Sequence, residues 1–194
     1  MTSAVATERL AKPSGWWGMA ILIASEATLF GCFLGTYFYL RVHALHWPPP
    51  GTPKPAVVIP FVLAGVLATT SLPMVLALRA ARAGRVAAAW RLVFCAFVVQ
   101  CGYLAYELQD LAGQLGRSRP QDNAYSSIYY LTLGADHAHV FLGILFSLWL
   151  LVRLASGLTQ YRLNGLRAIG FYWHFVNVVT LLVTACLVSP GIVA

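Results

Sequence analysis

Charged side chains are scarce in this sequence of 194 residues. Asp, Glu, Lys and Arg together make up 10% of it, whereas an ordinary soluble domain carries roughly 25%. Hydrophobic residues account for 59%, which is more apolar surface than one water-facing domain of this length can bury. The composition therefore excludes a soluble enzyme and indicates a protein that is integral to a membrane.

The sequence also lacks the motifs of common catalytic, metal and cofactor sites. Its four cysteines fall within apolar segments and form neither a C-x-x-C pair nor a C-x-x-x-C copper motif. There is no glycine-rich phosphate loop, no nucleophile beside a base, and no pair of histidines on one span at the separation that stacked haems require. We therefore expect no catalytic residue, no metal site and no cofactor site in this chain.

Five apolar segments are long enough to cross a bilayer, because about 20 helical residues cover about 30 Å of hydrocarbon. Their apolar runs are continuous and do not alternate with polar residues, which favours helices over the strands of a β-barrel. The predicted spans are at about 16–40, 56–78, 87–111, 127–152 and 168–188. The sequence predicts an all-α bundle of five transmembrane helices that forms a single transmembrane domain over residues 1–194.

The distribution of Lys and Arg predicts the orientation of the bundle. Nine cations are expected on the side of the N-terminus: Arg9, Lys12, Arg79, Arg82, Arg85, Arg91, Arg153, Arg162 and Arg167. Four are expected on the opposite side: Arg41, Lys54, Arg117 and Arg119. The positive-inside rule then places the N-terminus inside and, with five spans, the C-terminus outside. This rule accounts for the net charge of +7, so nucleic acid is not an expected partner.

Glu26 is the most conspicuous polar residue of the first span. It lies ten residues after Trp16, which places it about 15 Å into the bilayer. A charged carboxyl group there costs several kcal/mol unless it is paired or hydrated, so such a residue is a functional hypothesis by default. Two interpretations are open: Glu26 is a proton donor, or it is an uncharged carboxyl group that holds helices together by hydrogen bonds.

Ionisable residues also occur in the fourth and fifth spans. Asp136 and His139 are three residues apart and share a helix face, whereas His137 points away from His139, so the two histidines cannot bind one metal ion. In the fifth span His174 and Asn177 share a face by the same spacing. We predict an interhelical network in which His139 and Asp136 form hydrogen bonds with residues of the fifth span: Asn177 or Thr180.

The third span carries a single polar stripe that becomes more acidic toward one end. It consists of Gln100, Tyr103, Glu107 and Asp110. Glu107 and Asp110 lie close enough to the interface to be solvated by water. The deeper part of the stripe is expected to face protein and not lipid.

A series of short motifs runs along nearly the whole chain. They are Trp16-Trp17-Gly18-Met19, Ser25-Glu26, Tyr37-Phe38-Tyr39-Leu40-Arg41, Trp47-Pro48-Pro49-Pro50-Gly51, Thr70-Ser71, Ala105-Tyr106-Glu107, His139-Val140-x-x-Gly143 and Tyr172-Trp173-His174-Phe175-Val176. In this order they resemble subunit III of the haem–copper oxidases, a family that includes cytochrome c and quinol oxidases. The combination of W-P-P-x-G with Y-W-H-F-V is the most specific part of the resemblance.

The resemblance implies an accessory, non-catalytic subunit of a proton-pumping terminal oxidase of aerobic respiration. By this resemblance the chain packs beside the catalytic subunit I, in a complex with subunit II, and sits in the inner (cytoplasmic) membrane of a bacterium as a multi-pass protein. Haem and copper are expected in the partner subunits. Phospholipid is expected to be bound to this chain, near a route for oxygen, and the chain is expected to sustain turnover. Glu26 falls on the family's buried carboxylate, which is associated with proton uptake.

The five spans match the short bacterial form of the family, which looks like the longer seven-span subunit without its first two helices. A flank of the bundle is therefore expected to be covered by lipid or by another small membrane subunit, a subunit IV.

Two departures from the family pattern concern the ionisable residues. Asp136 stands where the family usually has the first histidine of His-x-x-His-Val, and Asn177 stands where it has the aspartate that ends W-H-F-V-D. If the two positions face one another, an acidic group has moved from the fifth span to the fourth. On that hypothesis, Asp136→Asn is tolerated only together with Asn177→Asp.

Three alternatives remain open from the sequence. One is the subunit-III-like component associated with nitric oxide reductases, which has a similar size and number of spans. Another is a stand-alone proton-coupled transporter with Glu26 and Asp136 as its relay, which the lack of inverted repeats disfavours. A third is a haem-b anchor that uses His139 and His174. The electron donor, cytochrome c or quinol, belongs to the chemistry of other chains.

Overall fold

The computed structural model describes residues 14–157 and 159–192. These residues form six α-helices and no β-strand. The helices are α1 (Ser14–His43), α2 (Val58–Thr69), α3 (Ser71–Arg82), α4 (Val86–Leu115), α5 (Ala124–Ala155) and α6 (Gln160–Ile192). Because α2 and α3 together form one span, Val58–Arg82, five helical segments are long and apolar enough to cross a membrane. The predicted all-α bundle with five spans is confirmed.

Except at the start of the second span, where the helix begins at Val58 and not at position 56, the helices continue past the ends of the predicted spans. The largest difference is at α6, which begins at Gln160 and so starts eight residues before the predicted position 168. Its first turns contain polar residues that are typical of a loop, but a helix can extend beyond the hydrocarbon because its backbone hydrogen bonds are internal. Arg9 and Lys12, on which the predicted orientation partly depends, lie outside the described residues, and the orientation stays a prediction.

The second span is broken at Thr70. The hydroxyl groups of Thr69 and Thr70 donate to the carbonyl oxygens of Val66 and Leu67, at 2.6 and 2.5 Å. Pro73 lies three residues further on and has no N–H group to bond the preceding turn. These local bonds satisfy carbonyl groups around the interruption, and the break directs the side chain of Thr70 into the bundle, where it is 2% exposed.

Helix α6 is the centre of the bundle. It contacts α1, α2, α3 and α5, whereas α4 packs against α2, α3 and α5. Short connections place consecutive spans antiparallel, and Gly84 allows the tight turn between α3 and α4 with a φ of +72°. Among the described helices, α1 contacts α5 and α6 and none of α2, α3 or α4. Most of the surface of α1 is therefore exposed in the isolated chain.

Two loops lie at the same end of the bundle, which we call the linker end. Residues 44–57 connect α1 to α2, and residues 116–123 connect α4 to α5. The ring of Trp47 packs edge-on against Tyr37 of α1 and Tyr125 of α5, with ring centroids 5.4 and 4.9 Å apart. The proline-rich loop is thus held against two helices by aromatic contacts.

Candidate functional site

Glu26 of α1 and His139 of α5 meet inside the bundle. His139 Nε2 lies 2.8 Å from Glu26 Oε2, and the side chains of His139 and Glu26 are 14% and 23% exposed. The predicted partners of His139 were Asn177 and Thr180 of the fifth span; that prediction is wrong, because α1 supplies the partner. The carboxyl group of Glu26 and the imidazole of His139 are thus hydrogen-bond partners between α1 and α5.

The second ring nitrogen of His139 determines what the pair can do. Nδ1 lies 2.7 Å from the carbonyl oxygen of Ala135 on the preceding turn. A carbonyl oxygen only accepts hydrogen bonds, so Nδ1 keeps its proton. One further proton is shared between His139 Nε2 and Glu26 Oε2. It resides on the carboxyl group in an uncharged pair and on the imidazole in an ion pair, and a proton can therefore be held or passed on at this position.

Neighbouring side chains fix the orientation of the pair. The ring of Phe30 lies edge-on to the imidazole of His139, with ring centroids 5.0 Å apart. The hydroxyl group of Tyr172 donates to the carbonyl oxygen of His139 at 3.1 Å. Contacts from α1, α5 and α6 thus converge on one histidine.

Asp136 lies on α5 one turn before His139 and is 2% exposed. Its Oδ1 accepts a hydrogen bond from the hydroxyl group of Thr180 on α6, at 2.8 Å. This is the contact between the fourth and fifth spans that the three-residue spacing predicts.

His174 and Asn177 share a partner on α3. His174 Nδ1 lies 3.1 Å from the hydroxyl group of Ser71, and the amide of Asn177 donates to the same oxygen at 2.7 Å. The hypothesis that Asp136 and Asn177 are exchanged members of one pair is not supported, since Asp136 is bonded to Thr180 and Asn177 to Ser71. Ser71 is accessible to both because it begins α3 directly after the break.

Glu107 is placed against His137 and not at the water-facing surface. The distance from His137 Nε2 to Glu107 Oε2 is 3.4 Å, and the two side chains are 4% and 12% exposed. The geometry is not that of a hydrogen bond, and neither ring nitrogen of His137 has a hydrogen-bond partner among the described residues. The opposite directions of His137 and His139 are as the two-residue spacing predicts.

The ionisable residues are distributed over separate contacts. Within residues 14–157 and 159–192, no three His, Cys, Asp or Glu side chains are grouped closely enough to hold a metal ion. The pairing of Glu26 with His139 was missed by sequence reasoning, although one signal was available. An acid deep in a span needs a partner, and histidines are the basic residues deepest in the other spans.

Comparison with known proteins identifies similar chains over most of this length. The family model described as cytochrome c oxidase subunit III matches residues 8–189. The cytochrome c oxidase subunit 3 of Alkalihalophilus pseudofirmus is 27% identical over 184 residues, which cover 92% of this chain and 86% of that protein. The probable cytochrome c oxidase subunit 3 of Nocardia farcinica is 30% identical over 173 residues, 84% of this chain and 81% of that protein. A probable quinol oxidase subunit 3 of Staphylococcus haemolyticus is 31% identical over 93 residues, which cover 47% of this chain and 46% of that protein.

Proposed function

The chain belongs to the cytochrome c oxidase subunit III family, and on that premise we propose that it supports proton uptake and sustained turnover by a proton-pumping terminal oxidase. Its family makes it an accessory, multi-pass membrane subunit that associates with other oxidase subunits. We propose that these partners are the catalytic subunit I and subunit II, which hold the haem and copper. The proposed location is the inner membrane of a bacterium.

The pairing of Glu26 with His139 is the observation that carries the proposal. One proton is shared between Glu26 Oε2 and His139 Nε2, 2.8 Å apart. Burial of a charge in hydrocarbon is costly, and the pair limits that cost because it can exist without net charge. The side chain of Glu26 is 23% exposed in the isolated chain, so part of it is accessible from outside the bundle. A neighbouring subunit or a water file can therefore exchange a proton with it.

The uncovered surface of α1 supports the proposed binding of phospholipid or of a small subunit IV. Large apolar side chains project from this helix, and three of them, Ile21, Leu29 and Phe38, are 70, 39 and 44% exposed. Such a surface is stable only against hydrocarbon or another apolar helix. Lipid or a small helical subunit would occupy the place of the two helices that the longer form of the family has in addition.

The intact complex provides the experiment. A tagged chain is purified from membranes, the co-purifying subunits and haems are identified, and activity and proton pumping are then measured for Glu26→Gln and His139→Gln. We expect fewer protons pumped per electron and a shorter active lifetime in both variants. Asp122→Asn is the matched control, since it removes an acid in the loop between α4 and α5, far from the pair. Unchanged pumping and lifetime in Glu26→Gln would contradict the proposed role.

Two of the three other functions considered are disfavoured by these observations. Family membership disfavours a stand-alone transporter. In a haem-b anchor His139 and His174 would be the ligands, but His139 is bonded to Glu26 and Ala135, and His174 is bonded to Ser71. The haems that co-purify distinguish an oxidase from a nitric oxide reductase.

A further inference from the structure

A small cavity lies between α2, α4, α5 and α6, and neither Glu26 nor His139 lines it. Its walls carry the carboxyl groups of Glu107, Asp110 and Asp136 and the phenol rings of Tyr103 and Tyr129. We call it the acidic cavity. Its volume of about 30 Å³ is enough for about two water molecules, at roughly 10–15 Å³ for each.

A wider cavity of about 160 Å³ adjoins it at the linker end. Asp110, Gln114 and Tyr129 line both cavities, so these three side chains form the wall between them. The wall includes a hydrogen bond from Gln114 Nε2 to Asp110 Oδ2, at 2.6 Å. Lys54 and Arg117 also line the wider cavity. The passage between the two cavities is therefore bordered by polar groups that water can bridge.

Polar groups without partners indicate that both cavities hold water. His137, which faces Glu107, is 4% exposed, and neither of its ring nitrogens has a hydrogen-bond partner among the described residues. Ser126 lines the wider cavity, is 1% exposed, and has a hydroxyl group without a partner. A buried polar group without a partner costs about 1–3 kcal/mol, and ordered water is the usual remedy. One such group lines the wider cavity, and the other faces Glu107, which lines the acidic cavity.

The residues that line the acidic cavity extend from the linker end toward the middle of the bundle. Asp136 is twelve residues from the start of α5 at Ala124, a rise of about 18 Å. Asp110 and Glu107 lie five and eight residues from the end of α4 at Leu115, about 8 and 12 Å along the helix axis. The carboxyl groups thus occur at three successive depths along one route.

We propose that the two cavities form a water-filled half-channel that gives protons from the linker end access to Asp136. A hydronium ion at the deep end gives its proton to the Asp136 carboxylate and leaves as water, and release of the proton reverses that step. The hydrogen bond from Thr180 occupies Oδ1 of Asp136, which leaves Oδ2 to accept the proton. The charged and titratable side chains that line the route to Asp136 are Lys54, Arg117, Asp110, Glu107, Tyr103, Tyr125, Tyr129 and Tyr130. His137 faces this route through Glu107. The proposal does not depend on the proton uptake proposed for Glu26, because it concerns other residues.

Cysteine accessibility tests the shallow half of the route. Glu107→Cys and Leu108→Cys are made in a parent in which the four native cysteines are replaced by alanine, and the oxidase is kept in sealed membrane vesicles of either orientation. The probe is Ag⁺ in nitrate buffer, since it is small and reacts with thiolates, which form in water. Leu108 is the matched control because it is 48% exposed at the same depth on the lipid-facing side of α4. We expect Glu107→Cys to react about tenfold faster than Leu108→Cys, and only when Ag⁺ is added on the side of the linker end.

The deep half is tested with Asp136→Cys against Ala138→Cys, an exposed position two residues further along α5. If Asp136→Cys does not accumulate in the membrane, Leu133→Cys replaces it, because Leu133 lines the acidic cavity. We again expect about tenfold faster reaction at the cavity position. Equal rates within either pair of variants, or reaction only from the opposite side of the membrane, would overturn the proposal.

Discussion

Gly143 of α5 lies against the indole ring of Trp173 of α6. A Cβ atom at position 143 would lie closer to Cζ3 of that ring than real contacts allow. Trp173 is 1% exposed, and its ring N–H donates to the hydroxyl group of Thr70 at 2.6 Å. The ring therefore cannot move aside without losing a buried hydrogen bond. Thr70 lies in the second span, between α2 and α3. The second, fourth and fifth spans are therefore held together at this one point.

We expect Gly143→Ala to destabilise the bundle by about 1–3 kcal/mol, since the added methyl group overpacks a filled core. The measurement is thermal unfolding of the purified chain in detergent. Gly134→Ala on the same helix is the control, because nothing lies within 4 Å of a Cβ atom built there. Equal melting temperatures for the two variants would show that the indole ring can adapt.

The hydrogen bond between Trp173 and Thr70 gives a second prediction. Thr70→Val leaves the buried ring N–H without an acceptor and is expected to cost about 1–3 kcal/mol. Thr70→Ser keeps the hydroxyl group and is expected to cost much less. In a Trp173→Phe background the difference between the two substitutions should disappear, and a difference that persists would assign the effect to the break between α2 and α3.

A hydrophobic carbodiimide should label Glu26 in preference to Glu107. The reagent partitions into the bilayer and reacts with protonated carboxyl groups, and the side chain of Glu26 is 23% exposed against 12% for Glu107. Mass spectrometry of peptides from labelled membranes measures the ratio, with Glu26→Gln as the blank. Absence of label together with normal proton pumping in Glu26→Gln would leave Glu26 a structural role only.

The partner of Asp136 can be identified by a double-mutant cycle. Asp136→Asn and Thr180→Val should be coupled by about 0.5–3 kcal/mol, because they remove the two ends of one hydrogen bond. Asn177→Asp should not rescue Asp136→Asn, since Asn177 is bonded to Ser71. The free energy of unfolding in detergent is measured for both pairs of substitutions. Rescue by Asn177→Asp would restore the hypothesis that the acidic group has changed spans.

The helices of this protein could be predicted because the length and hydrophobicity that mark a membrane span are properties of each segment by itself. Length and continuous hydrophobicity are enough to mark five spans, and the three-residue spacing is enough to direct Asp136 toward the fifth. The break at Thr70 could be anticipated only in part. Its hydroxyl groups and Pro73 are visible in the sequence, but their effect on the path of the second span depends on packing against Trp173.

The partner of His139 could not be predicted from the sequence, because it depends on how α1 is rotated about its own axis. A helix that is apolar on nearly all sides can bury any face in lipid at similar cost, so no stripe marks the face that carries Glu26. The route to Asp136 was missed for a related reason. Glu107 was expected to be solvated at the interface, whereas the packing of α4 against α5 places it against His137.

The contacts of α1 have a consequence for how the chain is made. Its partners among the described helices are α5 and α6, which come latest along the described chain, and Glu26 precedes His139 by 113 residues. The ribosome therefore delivers the acid to the membrane well before the imidazole exists. A lone acid at the centre of a span costs about 2.5–3.5 kcal/mol on insertion scales. The strongly apolar residues around Glu26 must offset that cost until the fourth span is inserted. The hydrophobicity of α1 is therefore required for membrane insertion as well as for the finished fold.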